Sequence, residues 1–333
     1  MVSIDAHSHL LCTEWFDHLH GEFAAYIPTF KAESERLYFL QAESLPNLNL
    51  KHVPDTLWDI KKRKAAMDSL KIDIQVLSPV PNVFFYEYPA DVSLNLTRAV
   101  NDGLSGVVND NQDRFVGLCS VPLQEPSIAV KELERSIKTL GLKGVEIGSN
   151  INGMNLDDKS LWQFYEAAQN LDVPIMVHPN NVAGAIRLGK YHLTNLIGNP
   201  LDTTIAIASV IFGGVLEAFP RLRFFFVHGG GFIPYQIGRF DHGYEVRPEA
   251  RTTSHMPGEC AQLLYFDTIL YSPQALEFLV RTHPSGRILL GSDCPFDMSD
   301  SDPVSRIARL EIDKDEIQKI LCTNAMDFFR IKV

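Results

Sequence analysis

The chain has 333 residues, 45% hydrophobic and 21% charged, an ordinary globular composition with ample length for a large buried core. A formal net charge of −11 argues against nucleic acid or an anionic membrane surface as the main partner, while a few local cations could still hold a small anionic substrate. Five scattered cysteines (Cys12, Cys119, Cys260, Cys294 and Cys322), with no CxxC pair, read as reduced thiols of a cytoplasmic protein rather than a disulfide framework.

The first strand-like run, 4–9, places His7 and His9 on one face and Ser8 on the other. Chemistry-bearing residues begin so early that no signal peptide is expected ahead of it. Residues 10–58 show no sustained period and mix Trp15, Phe16, Phe23, Tyr26, Phe30, Tyr38 and Phe39 with proline and charge; they read as an insertion, either a lid or a small subdomain. A regular alternation starts at Trp58. Helical spacing covers 60–70, 93–111 (with Ser93 as N-cap), 125–140, 161–171, 203–219, 232–244 and 273–282. Strand-like runs cover 72–79, 115–122, 144–149, 174–179, 223–228, 263–268 and 287–293. The longest apolar stretch, 205–219, contains Glu217 and is too short to span a bilayer, so it is expected as a buried helix. Two or three closing helices follow over 303–329.

Eight short, nearly continuous apolar strands separated by helices indicate parallel strands buried on both faces. Eight such units close into a (β/α)8 TIM barrel, expected as one domain over 1–333 with the insertion after its first strand. The rival is a doubly wound open sheet, but no glycine-rich dinucleotide turn follows the first strand.

In such barrels chemistry sits at the carboxyl ends of the strands. His7 and His9 end the first strand, His178 the fifth, His228 the sixth and Asp293 the eighth. Three imidazoles and a carboxylate, from His7, His9, His178 and Asp293, form a donor set suited to Zn²⁺, with Mn²⁺ or Fe²⁺ as alternatives. His228, on the neighbouring strand and followed by Gly229-Gly230-Gly231, reads as a general acid/base.

The blocks His7-Ser8-His9, Val177-His178-Pro179, Val227-His228-Gly229-Gly230-Gly231 and Gly291-Ser292-Asp293-Cys294-Pro295-Phe296 resemble the signatures of the amidohydrolase superfamily. More narrowly they resemble its 2-amino-3-carboxymuconate-6-semialdehyde decarboxylase-like branch, which works without an organic cofactor. The resemblance extends to Leu57-Trp58-Asp59, Met67-Asp68, Ile74-Gln75-Val76, Phe115-Val116-Gly117-Leu118 and Asn324-Ala325. It implies that His7, His9, His178 and Asp293 hold a zinc, that His228 and Asp293 take part in catalysis, and that Arg239 reaches across a homodimer to a substrate carboxylate. Lys51, Asn180 and Phe296 join Arg239 as substrate-binding candidates on the same basis. The chain also departs from the branch. Lys51 replaces an arginine, a point charge in place of a fork; Asn180-Asn181 replace Trp-Asp, and Cys294 replaces a tyrosine. Glu146 is left open between a role near the metal and a buried ion pair with Lys143 or an arginine.

Decarboxylation leaves an electron pair on carbon, and nothing in the sequence resembles a pyridoxal phosphate or thiamine motif. The implied substrate is therefore a carboxylated aromatic or muconate-semialdehyde type that supplies its own conjugated sink. The alternative keeps the same site for hydrolase or hydratase chemistry with a metal-bound hydroxide.

Overall fold

The computed structural model describes residues 2–34 and 37–332, and the side chains of all of these except 33, 34, 37–39 and 45–52. In chain order the strands are β1 (Ile4–His9), β2 (Thr29–Ser34), β3 (Leu37–Ala42), β4 (Leu45–Val53), β5 (Ile74–Ser78), β6 (Phe115–Cys119) and β7 (Gly144–Gly148). They continue as β8 (Asn150–Ile151), β9 (Met154–Asn155), β10 (Ile175–His178), β11 (Phe224–Phe226), β12 (Tyr265–Asp267) and β13 (Ile288–Leu289). Eight of them pair in parallel in the order β1-β5-β6-β7-β10-β11-β12-β13. The two ends of this sheet meet: the Ala6 amide donates to the Leu290 carbonyl at 2.7 Å and the His9 amide to the Cys294 carbonyl at 2.8 Å. The expected (β/α)8 barrel is the fold.

Alternation along single strands explains why it closes. Phe224 and Phe226 point outward into the large cluster shared with the helices, whereas Phe225 joins Ile4, Ala6, Val76, Leu118, Met176 and Leu289 in a separate apolar cluster. The helix Asn324–Phe329 lays Ala325, Phe328 and Phe329 against that second cluster. The barrel is thus largely a packed core, with Asp5, Gln75 and Glu146 as buried polar residues within its strands and further polar groups at the strands' carboxyl ends.

The helices begin where local chemistry lets them. The Asp59 side chain caps Ile60–Leu70 by accepting from the Lys62 amide at 3.0 Å. Proline occupies the first turn of Pro126–Lys138, Asn199–Phe212, Ile233–Val246 and Pro273–Thr282, where its missing N–H is not needed. Two boundaries differ from expectation. The second helix starts at Ala90 after Pro89, and Ser93 lies inside it with a buried, unpartnered hydroxyl instead of capping it. The apolar stretch 205–219 is not one helix: Asn199–Phe212 ends at Gly213, and Gly214, at φ +72°, separates it from Val215–Ala218. Among the described residues no helix is long and apolar enough to cross a membrane.

Between β1 and β5 the chain forms an antiparallel β2-β3-β4 sheet that sequence periodicity did not reveal. Its Leu40, Ala42 and Val53 share a core with Leu11, Phe16, Val80 and Phe85, and Phe296 packs against the same cluster. Phe296 comes from the loop after β13, so the small sheet leans on the barrel's carboxyl-end face.

Candidate active site at the carboxyl ends of the strands

His7, His9, His178 and Asp293 converge, one donor atom from each lying within 4.8 Å of the others, and all four residues are buried. The outer nitrogen of each imidazole is already committed. His7 Nδ1 donates to Asp267 Oδ2 at 2.8 Å, His9 Nδ1 to the Pro79 carbonyl at 2.9 Å, and His178 Nδ1 to the Pro179 carbonyl at 3.0 Å. Since carbonyls and carboxylates only accept, these contacts place the protons on Nδ1 and turn three Nε2 lone pairs toward one point.

The inner atoms make little sense as a protein-only arrangement. His7 Nε2 and His9 Nε2 lie 3.1 Å apart, and Asp293 Oδ1 sits 3.5 Å from the first and 3.3 Å from the second. His178 Nε2 and Asp293 Oδ1 are buried with no hydrogen-bond partner. Acceptors facing acceptors repel unless a cation lies between them. The spacings bracket the roughly 3.4 Å edge of a tetrahedron whose donors lie about 2.1 Å from its centre. The residues therefore fit a divalent metal.

Electrostatics point the same way at His9, His178 and Asp293, while His7 is drawn toward its charged form by the two aspartates beside it. Burial, reinforced by His9, His228 and His7 as neighbours, pushes His178 well below the ordinary histidine range. Burial also lowers His9, against the pull of Asp293. Both are neutral at pH 7, as ligation requires. His7 is held above its usual value: burial opposes its charge, but Asp293 and the Asp267 hydrogen bond outweigh it. Burial alone would raise Asp293; His7, His228 and His9 instead keep it well below the usual carboxylate range.

His228 stands beside this group, its Nε2 3.7 Å from Asp293 Oδ2 and its Nδ1 buried without a partner. His228 and Asp293 both have left-handed backbone, at φ +56° and +59°, uncommon for residues with a side chain. Gly229, Gly230 and Gly231 follow His228 with positive φ, and a Cβ on Gly231 would come within 2.4 Å of the Pro200 carbonyl.

Asp267 is the residue that sequence reasoning missed. At the end of β12 it accepts from His7 Nδ1, from the His228 amide at 2.9 Å, from the Gly229 amide at 2.7 Å and from the Ile269 amide at 3.1 Å. One carboxylate thus orients His7 and the backbone that carries His228. The available signal was its place at the end of a short strand, like the other site residues.

The remaining candidates stand apart. Phe296 lies over His9, ring centroids 5.3 Å apart. Asn180 follows β10; its amide donates to Ser149 Oγ at 3.2 Å, its carbonyl accepts from Asn150 Nδ2 at 2.7 Å, and its Oδ1 is buried without a partner. That Oδ1 occupies the space a Cβ on Gly148 would need, 2.3 Å away. Arg239 is exposed on Ile233–Val246 and makes no hydrogen bond or ion pair among the described residues, so a single chain does not join it to the cluster. Lys51 falls in β4, and its side chain lies outside the described residues. Glu146 pairs with neither Lys143 nor an arginine among the described residues; the ring of His9 lies beside it, Nδ1 to Oε1 3.9 Å. Burial pushes the Cys294 thiol up, which leaves it protonated and unreactive.

A parallel barrel with a buried cluster of three histidines and an aspartate at its carboxyl-end face defines the class: a (β/α)8 barrel enzyme whose polar site lies where the strands end. The family described as Amidohydrolase matches residues 4–331, and the chain belongs to it. The chain is 37% identical over 281 residues to the 2-amino-3-carboxymuconate-6-semialdehyde decarboxylase of Dictyostelium discoideum, an alignment covering 84% of this chain and 78% of that protein. Among solved structures, the 5-carboxyvanillate decarboxylase of Sphingomonas paucimobilis superimposes with a TM-score of 0.82 at 23% identity over 99% of each chain. The dihydroxybenzoic acid decarboxylase of Polaromonas sp., solved with bound manganese and the inhibitor 2-nitroresorcinol, gives 0.79 at 22% identity over 99% of this chain and 97% of that one.

Proposed function

We infer that the protein is a metal-dependent, non-oxidative decarboxylase of a carboxylated aromatic or muconate-semialdehyde type small molecule. The carrying observation is the convergence of three Nδ1-anchored histidines and Asp293 on one buried point, in a chain 37% identical to a decarboxylase. In this reading His7, His9, His178 and Asp293 hold Zn²⁺, with Mn²⁺, present in the Polaromonas structure, as the alternative. A divalent metal held there supplies Lewis acidity toward a substrate oxygen.

The chain's own residues do the rest. Lys51 and Asn180 bind the polar end of the substrate, and Phe296 packs on its apolar face. When the bond to the carboxyl carbon breaks, the electron pair stays on the substrate and spreads into its conjugated system. His228 then delivers a proton to that carbon, with Asp293 Oδ2 beside its Nε2 to stabilise the charged ring. The packed sheet at 29–53, leaning on Phe296, serves as the lid that keeps water out. The whole chain acts as one barrel domain with 10–58 as its insertion. The hydrolase or hydratase alternative is not favoured, because it has no support from the relative of highest identity described above.

Arg239 acts in a homodimer, donated to the neighbouring subunit's substrate. What supports this is the apolar surface around it: Tyr235 is 79% exposed on the same helix, with Phe232 and Phe278 each 40% exposed nearby. Five buried free cysteines suit a reducing, cytoplasmic setting. A screen of ¹³C-carboxyl-labelled hydroxybenzoates and muconate semialdehydes, with metal quantified in the same preparation, tests the reading. Labelled CO2 or bicarbonate is expected, and its absence across the set with metal bound would overturn it.

A further inference from the structure

Arg63, on Ile60–Leu70, is fully buried, and no carboxylate lies within ion-pair distance of it among the described residues. Its Nε donates to Gln75 Oε1 at 2.9 Å, and its Nη1 donates to the His9 carbonyl at 2.6 Å and the Thr56 carbonyl at 3.1 Å. Its Nη2 is buried without a partner. An isolated guanidinium in the interior is costly, so such a residue survives only where something depends on it or a counter-charge is near. The counter-charge stands one amide away. Gln75, on β5, donates from Nε2 to Asp5 Oδ2 at 2.8 Å. Asp5, on β1, also accepts from the Ser292 hydroxyl at 2.5 Å, the Ser292 amide at 2.9 Å and the His7 amide at 3.2 Å.

The contacts of this chain of groups are concentrated on the backbone of the cluster. One end grips the carbonyl of His9. The other grips the amide of His7 and the residue before Asp293, whose left-handed φ of +59° has to be held in place. A clamp meant only to fasten the helix to the barrel would have no reason to favour these atoms over others along β1 and β5.

We propose that Arg63, Gln75 and Asp5 form a positioning relay for the metal site, tying the backbone of His7 and His9 to that of Ser292–Asp293 so that three of the four donor groups are preset before the ion arrives. This rests on the reading of His7, His9, His178 and Asp293 as the metal ligands. The relay touches neither substrate nor metal, and its effect is on geometry.

The test uses Co²⁺ alone, whose visible spectrum reports ligand geometry, with affinity measured by competition against a chromophoric chelator. R63K keeps the charge but cannot fork between Gln75 and the His9 carbonyl; Q75L breaks the middle of the relay without a buried charge change at Arg63. Both are expected to bind Co²⁺ about tenfold more weakly than wild type, with an altered visible spectrum. R135M, at a buried ion-pair cluster on another face of the barrel, is expected to lower thermal stability while leaving affinity and spectrum unchanged. Wild-type affinity and spectrum in folded R63K and Q75L would overturn the relay while leaving the metal reading intact. The same changes in R135M would make them a general consequence of instability, which also overturns the relay. A wild-type protein that binds no Co²⁺ would overturn the metal reading and the relay with it.

Discussion

Glu132, on Pro126–Lys138, and Glu146, on β7, are both fully buried, and their surroundings differ completely. Glu132 accepts from Asn101 Nδ2 at 2.8 Å, Arg98 Nε at 3.1 Å, Arg135 Nε at 2.9 Å, Arg135 Nη2 at 2.8 Å and Ser136 Oγ at 3.2 Å. Burial would raise its pKa, but Arg135 and Asn101 outweigh it and hold the group below the usual carboxylate range. Asn101 also bonds the Ser120 carbonyl and amide, so the cluster fastens two helices to the strand end beyond β6. Neither oxygen of Glu146 makes a hydrogen bond of good geometry among the described residues, and burial pushes that group well above its ordinary value against a weaker pull from the nearby Ser78 side chain, with Asp293 adding to the push. In one buried polar cluster the carboxylate is fully partnered, and it serves the fold. The other, at the carboxyl-end rim, is left with orphaned acceptors at His178, Asp293 and Glu146, the state expected of a site built for something else to bind.

The contrast can be broken most sharply at His228. His228→Ala is expected to lower decarboxylation about 10²–10⁴-fold while metal content stays at the wild-type level. Full activity in that variant would remove His228 from proton transfer, and loss of metal would make it a ligand instead. The satisfied cluster should respond in the other currency, stability without activity. Glu132→Met leaves Arg98 and Arg135 without their buried partner and is expected to cost about 3 kcal/mol in urea denaturation, held near the low end by the partial exposure of both arginines. Turnover and metal affinity should not change.

Much of this was legible in the sequence because the barrel repeats a short pattern. Apolar runs such as 175–178 and 224–226, each ending in or just before a histidine, announce both the strand and the rim position of its last residue. The three-stranded sheet was not legible: β2 carries Lys31 and Glu33, and β4 carries Pro46, two asparagines and Lys51 among its apolar residues, so no sustained period-two signal survives. Ser93 misled because a good capping residue is only a local preference, and Pro89 had already set the start of that helix. Asp267, Arg63 and Gln75 escaped for another reason. Their importance lies in partners far away in sequence, which no local spacing encodes. Glu146 reads from the sequence either as a residue near the metal or as half of a buried ion pair, a choice that only the surrounding side chains decide.

Histidine supplies a second form of the same contrast, with pH as the variable. His283 is buried like His178, but its Nε2 meets the Leu264 carbonyl at 2.9 Å and its ring lies 4.4 Å from that of Phe266. Burial pushes its pKa down to about 4. Between that value and the unfolded value of about 6.5, the unfolded chain binds a proton that the folded chain does not. The contribution is therefore complete above pH 6.5 and is lost as pH falls toward 4. Relative to His283→Gln, the wild-type protein is expected to lose about 2–3 kcal/mol over that interval, measured by denaturation at a series of pH values. Parallel curves for the two proteins would show that His283 titrates normally and is no structural counterpart of His178.

The smallest effect is also the one that tests the contrast most directly, because it repeats one substitution at both carboxyl groups. Removing a group that has partners strands those partners, whereas replacing an orphaned group with an apolar one of similar size removes a desolvation cost and strands nothing. Glu146→Met, measured in metal-free protein, is accordingly expected to leave stability unchanged or raise it by about 1 kcal/mol, the opposite sign to Glu132→Met. A loss comparable to that of Glu132→Met would mean that Glu146 has a structural partner after all and that the two clusters do not differ in kind. A gain would leave a buried carboxyl 3.9 Å from His9 that the fold does not need, retained at a stability cost beside the metal-binding histidines. Its reason for being there would then have to be found in the reaction.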